Sequence, residues 1–253
     1  MIRFASLGSG SKGNALLVES GGTRVLLDCG FGPRELTRRL ARLAVAPESI
    51  TAVLITHEHA DHVGGAARCA ARFGWTVHLS FGTAAACRQL QDVPLRRFDS
   101  HGRFAIGDLE IHPYPVPHDA REPTQFVFSD GAQRLGVLTD AGSITPHIVA
   151  MLEDCAALVL ECNHDAEMLA NGRYPPPLKQ RIRSAYGHLD NGQAAWLLRA
   201  IRGDRLRHVV AAHLSEENNR PELARSALAE ALNCTSDWIG IACQHAGFAW
   251  REI

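Results

Sequence analysis

Hydrophobic residues fall into short, unbroken runs along this chain, and the runs predict strands. Ile2 to Leu7, Ala15 to Glu19 and Thr23 to Leu27 read as three, the last two joined by the turn Ser20-Gly21-Gly22. A helix is expected next, with Pro33 in its first turn and Leu36, Leu40 and Leu43 at helical spacing. Ala52-Val53-Leu54-Ile55 is wholly apolar and predicts a short strand that delivers the chain to His57. The Ala/Cys/Phe pattern from Val63 to Phe73 predicts a helix, so that Asp61 and His62 come just before it begins. The second half alternates likewise. Strands are expected over Glu110 to Val116, Gln125 to Phe128, Arg134 to Thr139, Ala157 to Leu160 and His208 to Ala212. Helices are expected from Thr145-Pro146, where a cap precedes a first-turn proline, from Asn191 and near Pro221. Two runs of mixed elements, each ending in histidine-bearing loops, predict an α/β sheet sandwich covered by helices, with ligands at one end of the strands. The sequence has no repeat and no long linker, so residues 1–253 are expected to form one domain.

Composition narrows the classes. Hydrophobic residues are 46% and charged residues 21%, enough for a sizeable core. A formal net charge of −1 argues against a surface coated in basic residues, though not against a local basic groove. No apolar run approaches the roughly 20 residues that span a bilayer, and the start, Met1-Ile2-Arg3-Phe4, lacks the apolar core of a signal peptide. Seven cysteines without a Cys-x-x-Cys pair predict reduced thiols and a cytoplasmic protein. Gly8-Ser9-Gly10-Ser11-Lys12-Gly13, with Asp28 beyond it, imitates a dinucleotide fingerprint. That fingerprint needs a helix at its third glycine, whereas Asn14 to Glu19 continues as a strand, so a glycine-rich hairpin lining a pocket is the better reading.

Histidine is the outlier, with 13 residues. In His57-Glu58-His59-Ala60-Asp61-His62, His57 and His59 are two apart, so in extended chain both rings point the same way and can share a cation. Asp61 and His62 are displaced toward a second position. Imidazole and carboxylate without thiolate suit Zn²⁺, Mn²⁺ or Fe²⁺ and argue against a closed structural zinc site. The zincin pattern H-E-x-x-H fails, because position 61 is Asp.

His57-x-His59-x-Asp61-His62 behind the strand-end Asp28 resembles the signature of the metallo-β-lactamase superfamily, and the resemblance runs through the whole chain. It implies a four-layered αββα sandwich and a two-metal hydrolase. It implies further that His57, His59 and His118 hold one ion, that Asp61, His62 and His213 hold the other, that Asp140 bridges them, and that Asp28 orients ligands from behind. Ser9-Gly10-Ser11-Lys12-Gly13-Asn14, His118-Asp119-Ala120, Glu161-Cys162-Asn163-His164-Asp165, Gly187-His188-Leu189 and His213-Leu214-Ser215-Glu216-Glu217-Asn218-Asn219 narrow the likeness to the YycJ/WalJ-like group. Members of that group look like DNA exonucleases, with 5′-to-3′ polarity implied. The order Asp140, Glu161, His188, His213 is also similar to tRNA 3′-processing endonucleases, where a non-ligand His steadied by a Glu protonates the leaving oxygen. Catalytic roles are therefore expected for Asp61, His188 and Glu161. Asp190 departs from the Ser expected after Gly187-His188-Leu189.

Arg173 to Arg183 carries four positive charges, no negative one and three successive prolines, which suits a clamp on a phosphate backbone. Arginine occurs 24 times and lysine twice, and both lysines fall in segments expected at the rim. Lys12, Asn14, Tyr174, Lys179 and Arg181 are the expected contacts to a nucleic-acid substrate, DNA before RNA, with Tyr174 available for stacking. The rival readings are a small-molecule phosphodiesterase or thioester hydrolase on the same metals and, more remotely, a di-iron protein handling oxygen or electrons.

Overall fold

The computed structural model describes residues 1–201 and 205–253. Two seven-stranded sheets form its centre. The first contains β1 (Ile2–Gly8), β2 (Ala15–Ser20), β3 (Thr23–Leu27), β4 (Ala52–Leu54), β5 (Thr76–Ser80), β6 (Leu95–Phe98) and the C-terminal β14 (Phe248–Glu252), in the order β14-β1-β2-β3-β4-β5-β6. The second contains β7 (Phe104–Ile106), β8 (Leu109–Pro115), β9 (Thr124–Ser129), β10 (Arg134–Leu138), β11 (Ala157–Glu161), β12 (His208–Ala212) and β13 (Gly240–Ile241), in the order β13-β12-β11-β10-β9-β8-β7. The helices are α1 (Pro33–Ala41), α2 (Ala60–Val63), α3 (Ala66–Phe73), α4 (Phe81–Ala86), α5 (Pro146–Leu152), α6 (Ala166–Asn171), α7 (Pro176–Ile182), α8 (Asn191–Ala200) and α9 (Pro221–Leu232).

Period-two alternation explains the unbroken apolar runs, because both sheet faces are covered. Val25 and Leu27 of β3, Ala52 and Leu54 of β4, Val137 of β10, Val159 of β11 and Val210 of β12 meet in a core between the sheets. The intervening Leu26 and Val53 pack with Leu36, Leu40, Ala66 and Cys69 of α1 and α3. Leu158, Leu160, Val209 and Ala211 pack with Ile148, Ala194, Leu198 and Leu228 of α5, α8 and α9. The layers are therefore helix, sheet, sheet, helix, as expected.

The structure corrects the helix expected over Val63 to Phe73. It is two helices, and Asp61 and His62 lie inside the first rather than before it. Gly64 and Gly65 part them, and a Cβ on Gly65 would lie 1.8 Å from the Phe31 carbonyl oxygen. Strands β5, β6, β7, β13 and β14 and helices α4, α6 and α7 were not expected from the pattern. The proline run enters α7, with Pro175 as its cap and Pro176 in its first turn, where no backbone N–H is needed. Asp190 caps α8 by accepting from Gln193 N, and the Gln193 side chain bonds back to Asp190 N. Asp does there what Ser would do, so the sequence departure keeps its local structural role.

Candidate metal centre

The predicted ligands converge at one end of both sheets. Asp28 follows β3, His57 and His59 follow β4, His118 follows β8, Asp140 follows β10 and His213 follows β12. Asp28, Asp140 and His213 have φ of 62°, 52° and 55°, the left-handed region that L-residues rarely adopt. Each strand thus ends in a sharp reversal that turns a ligand-type side chain inward, at a cost on the order of 1–2 kcal/mol apiece. Main-chain bonds lock the surrounding loops: Asn14 N donates to the Asp61 carbonyl at 2.8 Å and Cys29 N to that of His62 at 2.7 Å.

His57 Nε2 lies 3.0 Å from His59 Nδ1, which is 3.3 Å from His118 Nε2. On the other side His62 Nε2 lies 3.3 Å from Asp61 Oδ2 and 3.2 Å from Asp140 Oδ2. His213 Nε2 is 3.4 Å from Asp61 Oδ2 and 3.6 Å from Asp140 Oδ1. The outer ring nitrogens have partners that assign the tautomers. His62 Nδ1 donates to Asp28 at 2.7 Å, and His118 Nδ1 donates to the Gly187 carbonyl at 2.9 Å. Thr56, whose hydroxyl donates to Asp28 at 3.0 Å, accepts from His57 Nδ1 at 2.9 Å. In neutral His57, His62 and His118 the inner nitrogens therefore present lone pairs toward the neighbouring rings and carboxylates. Asp140 Oδ2 is buried without a hydrogen-bond partner. Imidazole lone pairs and a buried, unpartnered carboxylate oxygen converging on one space are a donor set that fits a metal ion.

Charge gives the same answer. Burial opposes protonation of His62, but Asp140, Asp28 and Asp61 outweigh it and hold that imidazole well above its ordinary value. His213, likewise buried, is pushed up to about 10 by Asp140, Asp61 and Glu161. The clustered carboxylates demand positive charge, from protons or from metal. Among the described residues, the sets able to hold an ion are His57/His59/His118, His57/His62/Asp140, Asp61/His62/His213 and Asp140/Glu161/His188/His213.

Glu161 ends β11 fully buried, and its Oε1 accepts from His188 Nδ1 at 2.8 Å. Burial pulls the His188 imidazole down, and the Glu161 charge and hydrogen bond more than reverse this. His188 lines a cleft of about 190 Å³ with Ser11, Asp119, Asn163, Tyr174 and Arg181. Of the expected substrate contacts, Tyr174 and Arg181 thus share a cleft with His188, and Arg181 Nε donates to Asp119 Oδ2 at 2.6 Å. Lys179 is turned away, donating to the Ala170 carbonyl at 2.7 Å. Lys12 is exposed and pairs with Glu216. Asn14 is buried; its amide donates to Asp61 Oδ2 at 3.1 Å and reaches His62 Nε2 at the same distance. It supports ligand side chains. Sequence reasoning assigned no role to Thr56, although its place directly before His57 was a signal. Nor did it assign one to Asp119, whose Oδ1 lies 3.4 Å from His118 Nε2.

A family profile described as a beta-lactamase superfamily domain matches residues 23–213. The chain belongs to the metallo-β-lactamase superfamily. Within it, the chain is YycJ/WalJ-like. It is 32% identical to the protein named exodeoxyribonuclease YycJ of Bacillus anthracis, over 91% of this chain and 89% of that one. It is 31% identical to exodeoxyribonuclease WalJ of Streptococcus pneumoniae serotype 2, over 95% of this chain and 91% of that one. The fold superposes on the metallo-beta-lactamase fold protein YhfI from Bacillus subtilis with a TM-score of 0.77 at 17% identity, covering both chains completely. The short form of human tRNase Z gives 0.67 at 15% identity, covering 99% of each chain. The superfamily's hydrolase architecture and the ligand-rich centre make divalent metal ions the implied cofactors.

Proposed function

We propose that this protein is a two-metal exodeoxyribonuclease. The observation that carries the reading is the cleft in which a Glu161-steadied His188, the Arg181 guanidinium and the Tyr174 ring face one space beside the clustered ligands. The names of the full-length relatives support the same substrate class. In this reading His57, His59 and His118 hold one ion, Asp61, His62 and His213 hold the other, and Asp140 serves both. Zn²⁺ or Mn²⁺ fits the nitrogen and oxygen donors, with Fe²⁺ next. When bound, such a pair supplies Lewis-acid stabilisation of a phosphoryl group and makes water more acidic. The chain's own part is positional and protonic. Arg181 binds a phosphate, Tyr174 stacks on a base, and His188 protonates the departing oxygen from its cleft-side nitrogen, since Nδ1 is engaged by Glu161. Asp119, which now pairs with Arg181, releases that guanidinium to the substrate. We take residues 1–253 as one domain. The seven cysteines are all free, which supports a cytoplasmic location.

The deciding experiment presents metal-loaded protein with end-labelled single- and double-stranded DNA, with RNA and with a chromogenic phosphodiester. The expected result is metal-dependent release of nucleotides from a DNA 5′ end. Good turnover of thioesters or small phosphodiesters with intact DNA would hand the site to the small-molecule reading.

A further inference from the structure

On the far side of the ridge formed by residues 185–188 lies a second, open cleft of about 610 Å³. Its floor is Pro115, Val116 and Pro117, directly before His118, and its walls carry His101, His147 and Tyr186. None of the described residues lining it is a carboxylate, a guanidinium or an ammonium, so it is unsuited to phosphate and suited to a flat, largely apolar group with polar edges. Tyr186 is 62% exposed, among the most exposed large hydrophobic side chains described. Its backbone, in contrast, is pinned. The Tyr186 carbonyl accepts from Asp119 N at 3.0 Å, and the neighbouring Ala185 carbonyl accepts from the Ser143 hydroxyl at 3.1 Å. A Cβ on Gly142 would lie 2.4 Å from Tyr186 N, so the ridge rests directly on main chain. A pinned backbone thus carries an exposed ring that stacks on no other ring among the described residues, one residue from the Gly187 whose carbonyl accepts from His118 and two from His188, a placement that suits stacking.

We propose that this cleft is a base-binding subsite. It takes a nucleobase of an unpaired strand, stacked on Tyr186, while the adjoining phosphate lies across the ridge at His188 and Arg181. The proposal rests on the nucleic-acid reading of the metal centre and adds a required feature of the substrate, an unstacked base. Single-stranded ends are then preferred over paired ones, because a paired base must first leave its stack.

The test uses zinc-loaded protein and a phosphorothioate-linked hexanucleotide that resists cleavage and carries 2-aminopurine at one of its positions. Stacking quenches this fluorophore. We expect saturable quenching at one position near an end. Tyr186→Ala should lose most of the quenching and bind roughly five- to hundredfold more weakly, the usual worth of one stacked base. Tyr186→Trp should retain both, and His147→Ala should weaken binding in part. Should Tyr186→Ala shed metal, His147→Ala and Tyr186→Trp carry the test. Unchanged quenching in Tyr186→Ala and His147→Ala overturns the proposal. Quenching that depends on Tyr186 in a protein that cleaves no nucleic acid would sink the nuclease reading and leave the subsite standing. Efficient DNA cleavage with quenching indifferent to Tyr186 would do the reverse.

Discussion

Replacing Glu161 by Gln removes one charge from behind His188 at almost constant volume, and the hydrogen bonds around the carboxylate dictate the consequence. Glu161 is fully buried; Oε1 accepts from His188 Nδ1 at 2.8 Å, while Oε2 accepts from Ala141 N at 3.0 Å and Leu189 N at 3.2 Å. Glutamine offers one oxygen. Keeping both backbone bonds turns its NH₂ toward His188 Nδ1, which must then give up its proton, leaving a neutral ring protonated only on the cleft side. The imidazolium loses the partner that outweighed its burial. A raised pKa means that the acid form is present below the folded value and disappears as pH rises through it. In Glu161→Gln the alkaline limb of the rate profile therefore moves to lower pH. Glu161 Oε1 also lies 3.5 Å from His213 Nδ1, so the profiles are compared only between proteins of equal metal content. His188→Ala should lose about 10²–10⁴-fold in DNA cleavage, the worth of a positioned acid, and Glu161→Gln a smaller factor that grows as pH rises along the alkaline limb. Both defects should shrink on a nitrophenyl ester, whose leaving group hardly needs a proton. The assay pairs rate profiles on the two substrates with elemental analysis of each variant. Equal losses on good and poor leaving groups, with metal intact, would refute proton donation. Loss of an ion from His188→Ala would make His188 a ligand, a role its place in the Asp140/Glu161/His188/His213 set permits geometrically.

Elemental analysis of the freshly purified chain should find close to two divalent ions, and Asp140→Ala should lose both or leave one weakly held; one ion in the unaltered protein would end the two-metal reading. Asp28→Ala removes the acceptor that fixes His62 and, through Thr56, His57; competition with a chelator should report metal affinity about 10–100-fold weaker. Arg181→Ala should weaken DNA binding across all sequences and lower the slope of log K against log salt by about one, whereas an unchanged slope would remove Arg181 from the phosphate path. Metal at about a thousand times its dissociation constant should stabilise the fold by roughly 4 kcal/mol, worth about 2–4 °C of Tm per kcal/mol in a chain of this size. Calorimetry with and without chelator checks it, and an unchanged Tm would mean no ion is bound.

Part of this was legible because its signal is local. Ala52 to Ile55 announced a strand buried on both faces, and His57 to His62 placed four donor groups in six residues, which chance and surface chemistry seldom do. Most of the missed strands are very short, exposed or paired far off in sequence; buried β5 was missed because Thr76-Val77-His78-Leu79-Ser80 interrupts its apolar residues with polar ones. Leu95-Arg96-Arg97-Phe98 is an edge strand carrying two exposed arginines, β13 is two residues long, and β14 exists because Arg3 pairs with Glu252 across the whole chain. The split between α2 and α3 was hidden because Ala/Cys/Phe periodicity continues past Gly64-Gly65, and only the approach of the Phe31 carbonyl makes a side chain impossible there. Lys12 and Lys179 are expected at the rim because of the segments that carry them, a reading sharpened by the scarcity of lysine. Composition carries no direction, and their ammonium groups point to Ala170 and Glu216.

Least legible was the device that assembles the centre. Asp28 belongs to one sheet, Asp140 and His213 to the other, and all three sit in left-handed backbone at strand ends. Glycine would adopt that conformation without strain. The chain keeps charged or ligating side chains there instead, so the strain is tolerated for what those side chains do. Between the sheets the packing is apolar, and apolar burial is non-directional; it holds the layers together but does not set their ends to a fraction of an ångström. Directional bonds at the ligand end do that. Asp28 grips Thr56 and His62 of the first sheet's loops, Gly187 grips His118, and Ser9 of the first sheet's loop accepts from His213 N of the second at 2.9 Å. The Asp28 and Gly187 bonds brace loops within one half of the sandwich each, whereas the Ser9–His213 bond, with Thr124 N donating to the Thr56 carbonyl at 3.0 Å, ties the two halves together beside the candidate ligands.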